Sequence, residues 1–222
     1  MNLTRDDTRA ADSQKRLLVA CEYSGTVREA FAAEGFDAWS CDVIDSERPG
    51  QHIKADVRTV LNDGWDMMIA HPPCQYLSYA GNGHWNQPGR AEKRGEAAAF
   101  FMCLVNAPIP RICIENPRGV MSKLYRRPDQ EIDPWMFGDR ARKRTDLWLK
   151  GLPLLTWYQE GTFWQTAVPV PDAIKTDKTG KRRHFTDSIR SAKERARFFP
   201  SVARAMARQW GALLTREQEA TP

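Results

Sequence analysis

The sequence predicts an α/β domain with a mostly parallel, three-layer sheet. Short apolar runs alternate with helical segments through the first half of the chain, which is the pattern of strands connected by crossover helices. Polar and charged residues directly follow several of these runs, at the positions where parallel strands would end. At 222 residues, the chain is long enough for one domain with a full core.

Each strand is predicted from one short apolar run. The runs lie at residues 17–20, 36–41, 53–55, 67–70, 111–114 and 144–149, of which 53–55 is the weakest. Helices are predicted over residues 27–34, 91–106 and 201–214, with one or two helical turns over 57–62. Gly35 is placed to end the first helix and Pro108 to end the second. One face of the last helix carries Val202, Ala205, Met206, Gln209 and Trp210.

The remaining segments are predicted to be irregular. Residues 1–14 are polar and charged, so we expect a flexible tail followed by a single domain over 15–222. The Gly- and Asn-rich stretch 78–90 predicts a mobile loop. Residues 151–190 predict loops and short strands, with an exposed basic stretch from Lys175 to Arg183.

Composition and charge narrow the class of protein. A net charge of +5 mildly favours a polyanionic partner, and a basic protein without such a partner is about as well supported. The five cysteines show no C-x-x-C spacing, and the longest apolar stretch is too short to span a bilayer. We therefore expect a soluble, reduced, cytoplasmic protein with no membrane association and no metal site.

The most informative stretch is His71-Pro72-Pro73-Cys74-Gln75, directly after the run 67–70. A second run, 112–114, is followed by Glu115-Asn116-Pro117. In open α/β sheets, ligands and chemistry gather at the carboxyl ends of strands. A thiolate and a carboxyl group that face one crevice can attack one atom of a flat heterocycle and protonate another. We therefore expect Cys74 and Glu115 to act together.

Three other strand ends predict a cofactor site. The turn Tyr23-Ser24-Gly25 after the first strand would let backbone approach a ligand at a helix N-terminus. Asp42 ends the second strand, where an acid commonly contacts ribose hydroxyls, and Asp56 ends the third, where it could accept a hydrogen bond from an adenine amino group. Each acid alone is more typical of a helix cap, but the three positions together favour a nucleoside-like cofactor.

Taken together, these residues resemble the C5-cytosine DNA methyltransferase family, and most closely its short phage-type members. The family's nucleophile motif is similar to Pro73-Cys74-Gln75, and its Glu-Asn motif to Glu115-Asn116. Its basic strand is similar to Arg142-Lys143-Arg144, and its last helix to the segment that starts at Pro200-Ser201-Val202. The resemblance covers roughly residues 16–210.

The resemblance implies a Rossmann-like, S-adenosylmethionine-dependent fold and transfer of a methyl group to C5 of cytosine in DNA. Cys74 would add to C6, a protonated Glu115 would act on N3, and Arg142 or Arg144 would steady the base. A base in duplex DNA would have to be flipped out of the stack. The implied cofactor contacts are Tyr23, Ser24, Gly25, Asp42, Asp56, Pro72 and Ser201. The implied DNA contacts are Gln75, Ser78, Trp85, Asn116, Lys181 and Arg182.

Other functions stay open at the level of sequence. The segment 151–190 is short for target recognition, so a free cytosine nucleotide or a single strand could be the acceptor. A second alternative is a catalytically silent homologue that only binds DNA. A third is a cysteine hydrolase in which His71, three residues before Cys74, serves as the base.

Overall fold

A computed structural model of the protein describes residues 14–80, 86–139, 141–157, 175–176, 180, 182–183 and 197–219. A seven-stranded sheet forms the centre of the chain, in the order β3-β2-β1-β4-β5-β7-β6. Its strands are β1 (Arg16–Ala20), β2 (Asp37–Asp42), β3 (His52–Lys54), β4 (Met67–Ala70), β5 (Arg111–Pro117), β6 (Gln130–Ile132) and β7 (Thr145–Lys150). β1 to β5 run parallel, and β7 is antiparallel to both of its neighbours. This sheet, with five parallel strands and helices between them, confirms the predicted α/β class with a mostly parallel sheet.

Helices cover both faces of this sheet. They are α1 (Thr26–Ala33), α2 (Arg90–Val105), the short α3 (Met121–Leu124) and α4 (Pro200–Glu219). One core packs α1 and α4 against the side of the sheet that carries Met67 and Ile69, and the other packs α2 against the side that carries Met68 and Ala70. The sheet with its two helical layers therefore forms the predicted three layers. Within the described parts of the chain, we find no helix that is both long and apolar enough to cross a membrane.

The last helix buries most of the face that the sequence predicts. Val202, Met206 and Trp210 of α4 are buried, whereas Ala205 and Gln209 lie at the half-buried margin of that face. The Trp210 ring is fully buried, and its Nε1 donates to the carbonyl of Pro153 at 3.0 Å. Burying so large a ring makes α4 part of the core rather than a peripheral addition.

β5 is longer than the apolar run predicts. We expected the strand to end at Ile114, with Glu115 at or just past its end, but it continues through Pro117. The antiparallel β7 supplies the extra pairing, with a register from Ile112 opposite Lys150 to Pro117 opposite Thr145. Pro117 is tolerated because it is the last residue of the strand. Glu115 therefore lies within a paired strand, on a rigid element.

Several predicted segments lie wholly or partly outside the described residues. The tail over 1–13 and residues 81–85, including Trp85, are among them, as is most of the segment 158–196. Inside that last segment, a two-stranded antiparallel ladder pairs β8 (Lys175–Thr176) with β9 (Arg182–Arg183).

Candidate active site

The cysteine lies in the loop that follows β4, and the glutamate lies on β5. These strands are parallel neighbours, with Ala70 opposite Ile114 in the register. The chain leaves β4 into residues 71–78, which we call the nucleophile loop because it contains Cys74, the predicted nucleophile. The two strands therefore bring this loop and Glu115 to the same end of the sheet, and the joint action of Cys74 and Glu115 stays a prediction.

Backbone hydrogen bonds give the nucleophile loop a defined shape. The carbonyl of Cys74 accepts from the N–H groups of Leu77 at 3.1 Å and Ser78 at 2.8 Å, which closes a tight turn directly after the cysteine. The side-chain amide of Asn116 donates to the carbonyl of Pro72 at 2.8 Å and fixes the other side of the loop. Asn116 is 2% exposed, so this hydrogen bond is shielded from competing water.

Two arginines at the start of α2 hold the same loop. Arg90 donates from Nη2 to the carbonyl of Gln75 at 2.9 Å, and Arg94 donates from Nε to the carbonyl of Tyr76 at 2.9 Å. The Arg90 guanidinium also lies over the Tyr76 ring, 4.6 Å from its centroid. The sequence analysis missed both arginines. Their i, i+4 spacing at the beginning of a helix was the available signal, because it puts both on one helical face.

A glycine after β5 completes the support of the loop. Ser78 and Gly119 form an antiparallel bridge, and Val120 N–H donates to the carbonyl of Leu77 at 2.8 Å. A Cβ atom at Gly119 would lie 2.1 Å from that carbonyl oxygen, closer than any real contact. Gly119 is therefore required for the close approach of the two backbones.

Glu115 is a buried carboxylate with a histidine partner. It is 6% exposed, and its Oε2 lies 3.1 Å from Nδ1 of His71. Burial alone would raise the pKa of this carboxyl group, but the hydrogen bond with His71 and the charge of Lys143 outweigh burial and lower it. Its other oxygen, Oε1, is buried and has no hydrogen-bond partner within the described chain.

Cys74 is a half-buried thiol. Burial is the largest cause of the raised pKa of this thiol. The negative charge of Glu115 raises the pKa further, and the positive charge of Lys143 lowers it. The resting site therefore favours a thiol at Cys74 and a carboxylate at Glu115. The predicted reaction uses a protonated Glu115, so it would require a proton to move between the resting and the reacting state.

Of the three consecutive basic residues before β7, the middle one acts on the cysteine and the glutamate. Lys143 is half-buried, and its charge influences both Cys74 and Glu115. Arg142 and Arg144 are exposed, and Nε of Arg144 lies 3.7 Å from a carboxylate oxygen of Glu131. The roles predicted for the two arginines stay predictions. Side chains alternate between the two faces of a strand, so Lys143 lies on the same face as Thr145. This face could be assigned only once the start of β7 was known.

The ends of β1, β2 and β3 enclose a separate cavity of about 260 Å³. This volume is near the lower end of the range of small-molecule pockets, about 300 Å³. Both predicted acids, Asp42 and Asp56, line it, and the opposite walls are largely apolar. The cavity is lined by Cys21, Cys41, Asp42, Val43, Ala55, Asp56, Val57, Arg58, Pro73 and Phe100. Pro73 rather than Pro72 lines it, and this proline links the cavity to the nucleophile loop.

Asp56 has a structural role in addition to lining the cavity. Its carboxylate accepts from the N–H of Arg58 at 3.0 Å and caps the short 3₁₀ helix Val57–Thr59. Hydrogen bonds from the Arg58 side chain and backbone lower the pKa of Asp56 to about 2. The cavity therefore presents a permanently ionised acceptor at this wall.

The turn after β1 is organised by a carboxylate that the sequence analysis did not single out. Glu22 is 3% exposed and accepts from the N–H groups of Val27 at 2.7 Å and Arg28 at 3.2 Å. Ser24 Oγ also donates to Glu22, at 3.2 Å. Gly25, with φ of +71°, is required here because a Cβ atom would lie 2.7 Å from Nη2 of Arg28. The N-terminus of α1 is therefore already neutralised by the chain's own acid.

The other predicted contacts occupy various places around the site. Ser201, in the first turn of α4, directs its hydroxyl at the carboxylate of Asp139. Gln75 is exposed on the nucleophile loop, and Ser78 is buried in it. Trp85 and Lys181 lie outside the described residues, and of Arg182 only the backbone in β9 is described. The ligand contacts expected of these residues stay predictions.

Comparison with known proteins gives a partial match. No protein-family model matches the chain. A curated relative, the type II methyltransferase M.NgoFVII of Neisseria gonorrhoeae, is 26% identical over 110 residues. The match covers 47% of this chain and 28% of the relative, so it spans well under a third of that protein's length.

Two solved structures are similar to part of this chain. A prophage-encoded E. coli protein described as a DNA modification methyltransferase is 15% identical, with a TM-score of 0.41 over 61% of this chain and 46% of its own. The Entamoeba histolytica methyltransferase EhMeth is also 15% identical, with a TM-score of 0.42 over 64% of this chain and 54% of its own.

Proposed function

We propose that this protein is an S-adenosylmethionine-dependent methyltransferase that modifies C5 of cytosine in DNA through a covalent bond between Cys74 and C6. The observation that carries the proposal is the placement of two residues at one end of the sheet. Cys74 follows β4, Glu115 lies on the parallel neighbour β5, and the charge of Glu115 influences Cys74. The partial match to a type II methyltransferase supports the transfer of a methyl group.

The cavity at the ends of β1, β2 and β3 fits the nucleoside part of such a cofactor. Asp42 would accept hydrogen bonds from the ribose hydroxyls, and Asp56 would accept one from the adenine amino group. Val43 and Phe100 offer apolar surface to the adenine ring. Because Glu22 occupies the amides at the N-terminus of α1, the site favours a cofactor without phosphate groups over a dinucleotide. When bound, S-adenosylmethionine would supply an electrophilic methyl group.

The residues of the site provide the proton that the base requires. In the resting site this proton is on the sulfur of Cys74, and Glu115 is a carboxylate. We propose that Glu115 takes the thiol proton and passes it to N3 as the sulfur forms its bond to C6. The σ bonds made are Sγ–C6 and N3–H, and the σ bond broken is S–H, so the addition needs no outside acid. The π pair of C5–C6 moves to C4–C5, and the π pair of C4–N3 moves to N3 and takes the proton, which makes C5 a nucleophilic enamine carbon. After C5 has taken the methyl group, loss of the C5 and N3 protons would restore the C5–C6 and C4–N3 double bonds and expel the sulfur as the Cys74 thiolate.

Lys143 would assist the sulfur in this step. Its ammonium group is the charge that opposes the rise in the Cys74 pKa, so it favours the thiolate at the moment of attack. The same charge stabilises the Glu115 carboxylate before and after the proton passes. This role differs from the one that the family resemblance implies for Arg142 or Arg144, which is to steady the base.

A cysteine hydrolase is the rival that the geometry tests most directly. Such an enzyme needs a histidine hydrogen-bonded to its cysteine. His71 contacts Glu115 through Nδ1, as the histidine of a catalytic triad would, but its Nε2, the nitrogen that would face the sulfur, has no hydrogen-bond partner within the described residues. The raised pKa of Cys74 also runs against an activated resting thiolate. The methyltransferase proposal needs neither feature in the resting state.

Covalent trapping tests the proposal. A duplex that contains 5-fluorocytosine cannot lose a proton from C5, so with S-adenosylmethionine it should leave the enzyme bound to the base. We expect a denaturation-resistant complex whose digest carries the modified base on Cys74, and no complex with Cys74→Ala. Cys103→Ser, which alters a half-buried thiol on α2, should trap like the wild type. Attachment at another residue, or equal trapping by Cys74→Ala, would reject the covalent mechanism.

A further inference from the structure

His71 is the one histidine in contact with the acid of the site in the described structure. It directly follows β4, and its N–H donates to the carbonyl of Ala20 at 2.9 Å, so its backbone stays in register with β1. Strand alternation puts its side chain on the same face of the sheet as Ile69, and puts Glu115 on the same face as Cys113 on the neighbouring strand. The two side chains meet there, with Nδ1 of His71 3.1 Å from Oε2 of Glu115.

The surroundings hold the imidazole in one orientation. The side chains of His71 and Glu115 are only 12% and 8% exposed. Phe198, just before α4, packs against the imidazole with ring centroids 4.8 Å apart and an interplanar angle of 46°. A ring fixed by backbone pairing on one side and an aromatic contact on the other cannot readily turn away from the carboxylate.

The two oxygens of Glu115 are therefore not equivalent. Oε2 receives the hydrogen bond of His71, whereas Oε1 is buried with no partner in the described chain. An unpaired buried carboxylate oxygen is costly, and such atoms in a native site commonly await a ligand. Oε1 is thus the oxygen left to exchange a proton with Cys74 and with a bound base.

We infer that His71 is a positioning residue for the proposed reaction: by donating from Nδ1 to Oε2, it aims Oε1 of Glu115 at the sulfur and the base. The inference rests on the proposed function and adds a residue to it. Besides His71, the groups coupled to Glu115 include Lys143 just before β7, Thr145 and Asp146 on β7, and the sulfur of Cys74. Among the described residues, His71 hydrogen-bonds to the carboxylate from the β4 side.

Three substitutions separate a positioned donor from simple packing. The amide nitrogen of His71→Asn can take the place of Nδ1 and keep the donor, whereas that of His71→Gln reaches the place of Nε2, and His71→Ala has no donor. We expect single-turnover methyl transfer to fall about 10- to 100-fold in the Ala and Gln variants, and to be largely restored in the Asn variant. Affinity for S-adenosylmethionine should stay unchanged. His52→Asn, on the edge strand β3, is the matched control.

A second measurement does not depend on activity. Carbon-13 NMR of the glutamate carboxyl groups, with Glu115 assigned from a Glu115→Gln variant, should show Glu115 titrating at higher pH in His71→Ala than in the wild type. Without the hydrogen bond from His71, less opposes the effect of burial, so the pKa of Glu115 should rise. Equal titration in both proteins, or an Asn variant no better than Gln, would overturn the inference. Absence of transfer by the wild type would instead reject the proposed function, and the titration would still decide whether His71 holds the carboxylate.

Discussion

The ionised carboxylate of Asp146 on β7 should lower the free energy of unfolding at neutral and alkaline pH. It is 1% exposed, and its Oδ1 has no hydrogen-bond partner within the described residues. Burial, followed by the charge of Glu131 on the neighbouring strand, raises its pKa from 3.8 to about 6. Arg118 and Arg144 offset only part of this rise. The ionised carboxylate is therefore disfavoured in the folded chain.

The sign and the size of this cost follow from proton linkage. The folded state holds the proton of Asp146 more tightly than the unfolded state, so stability falls as pH rises from about 4 to about 6. One pKa unit corresponds to about 1.4 kcal/mol, so the full cost above that window is about 3 kcal/mol. At pH 4.5 the cost is only about 1 kcal/mol, since most of the window still lies above that pH.

Asp146→Asn should remove the cost without changing the shape of the side chain. Asn116 lies directly opposite on β5, and its Oδ1 has no partner within the described chain, so the new amide can donate to it. Urea unfolding should show Asp146→Asn more stable than the wild type by up to about 3 kcal/mol at pH 8, and by about 1 kcal/mol at pH 4.5.

Asp129 provides a control with the opposite sign. Burial opposes its ionisation, but its ion pair with Arg126 and the N–H of Leu149 outweigh burial and lower its pKa. Its stabilising effect is present above the unfolded pKa and is lost as pH falls through the folded one. Asp129→Asn should therefore destabilise the protein by about the same amount at pH 8 and at pH 4.5, because both values lie above the unfolded pKa of 3.8. If Asp146→Asn had the same effect at both pH values, the reasoning about its buried charge would be refuted.

Three further substitutions test other parts of the structure. Gly119→Ala should keep the fold and the affinity for S-adenosylmethionine but lower single-turnover transfer about 100-fold, since it displaces the nucleophile loop; wild-type rates would contradict this role. Asp42→Ala should weaken S-adenosylmethionine binding in calorimetry about 10-fold or more. Asp45→Ala, which removes a nearby exposed acid, should leave this binding unchanged. Equal effects of the two substitutions would argue against the cavity as the cofactor site. Trp210→Ala should lower the free energy of unfolding by about 3–5 kcal/mol, and a loss below 1 kcal/mol would contradict its place in the core.

Local patterns were enough to predict six of the seven strands of the sheet, but not the edge strand β6, whose three residues are only partly apolar. The run 67–70 and the acid at Asp42 lie where the sequence places them, because strands buried on both faces appear as apolar runs with abrupt polar ends. The same pattern failed at Glu115. Polar residues continue β5 because it pairs with β7, a partner about 30 residues further along the chain that no local window includes.

The supports of the site were harder to predict than its central residues. Arg90 and Arg94 act on carbonyls of the nucleophile loop, and backbone carbonyls leave no sequence signature. Glu22 caps a helix from outside it, with Gly25 rather than a capping side chain at the N-cap position. Lys143 was not predicted, because three consecutive basic residues do not show by their charges alone which of them faces the site.

The measurement that bears most directly on the central claim is transfer of labelled methyl from S-adenosylmethionine to duplex DNA, with wild type and Cys74→Ala compared side by side. Single strands and deoxycytidine monophosphate would be offered as parallel acceptors. We predict label in 5-methylcytosine of the duplex with the wild type and none with Cys74→Ala. Label in the nucleotide or single strand alone would move the substrate away from duplex DNA. Full transfer by Cys74→Ala, or label on another atom of the base, would contradict the account.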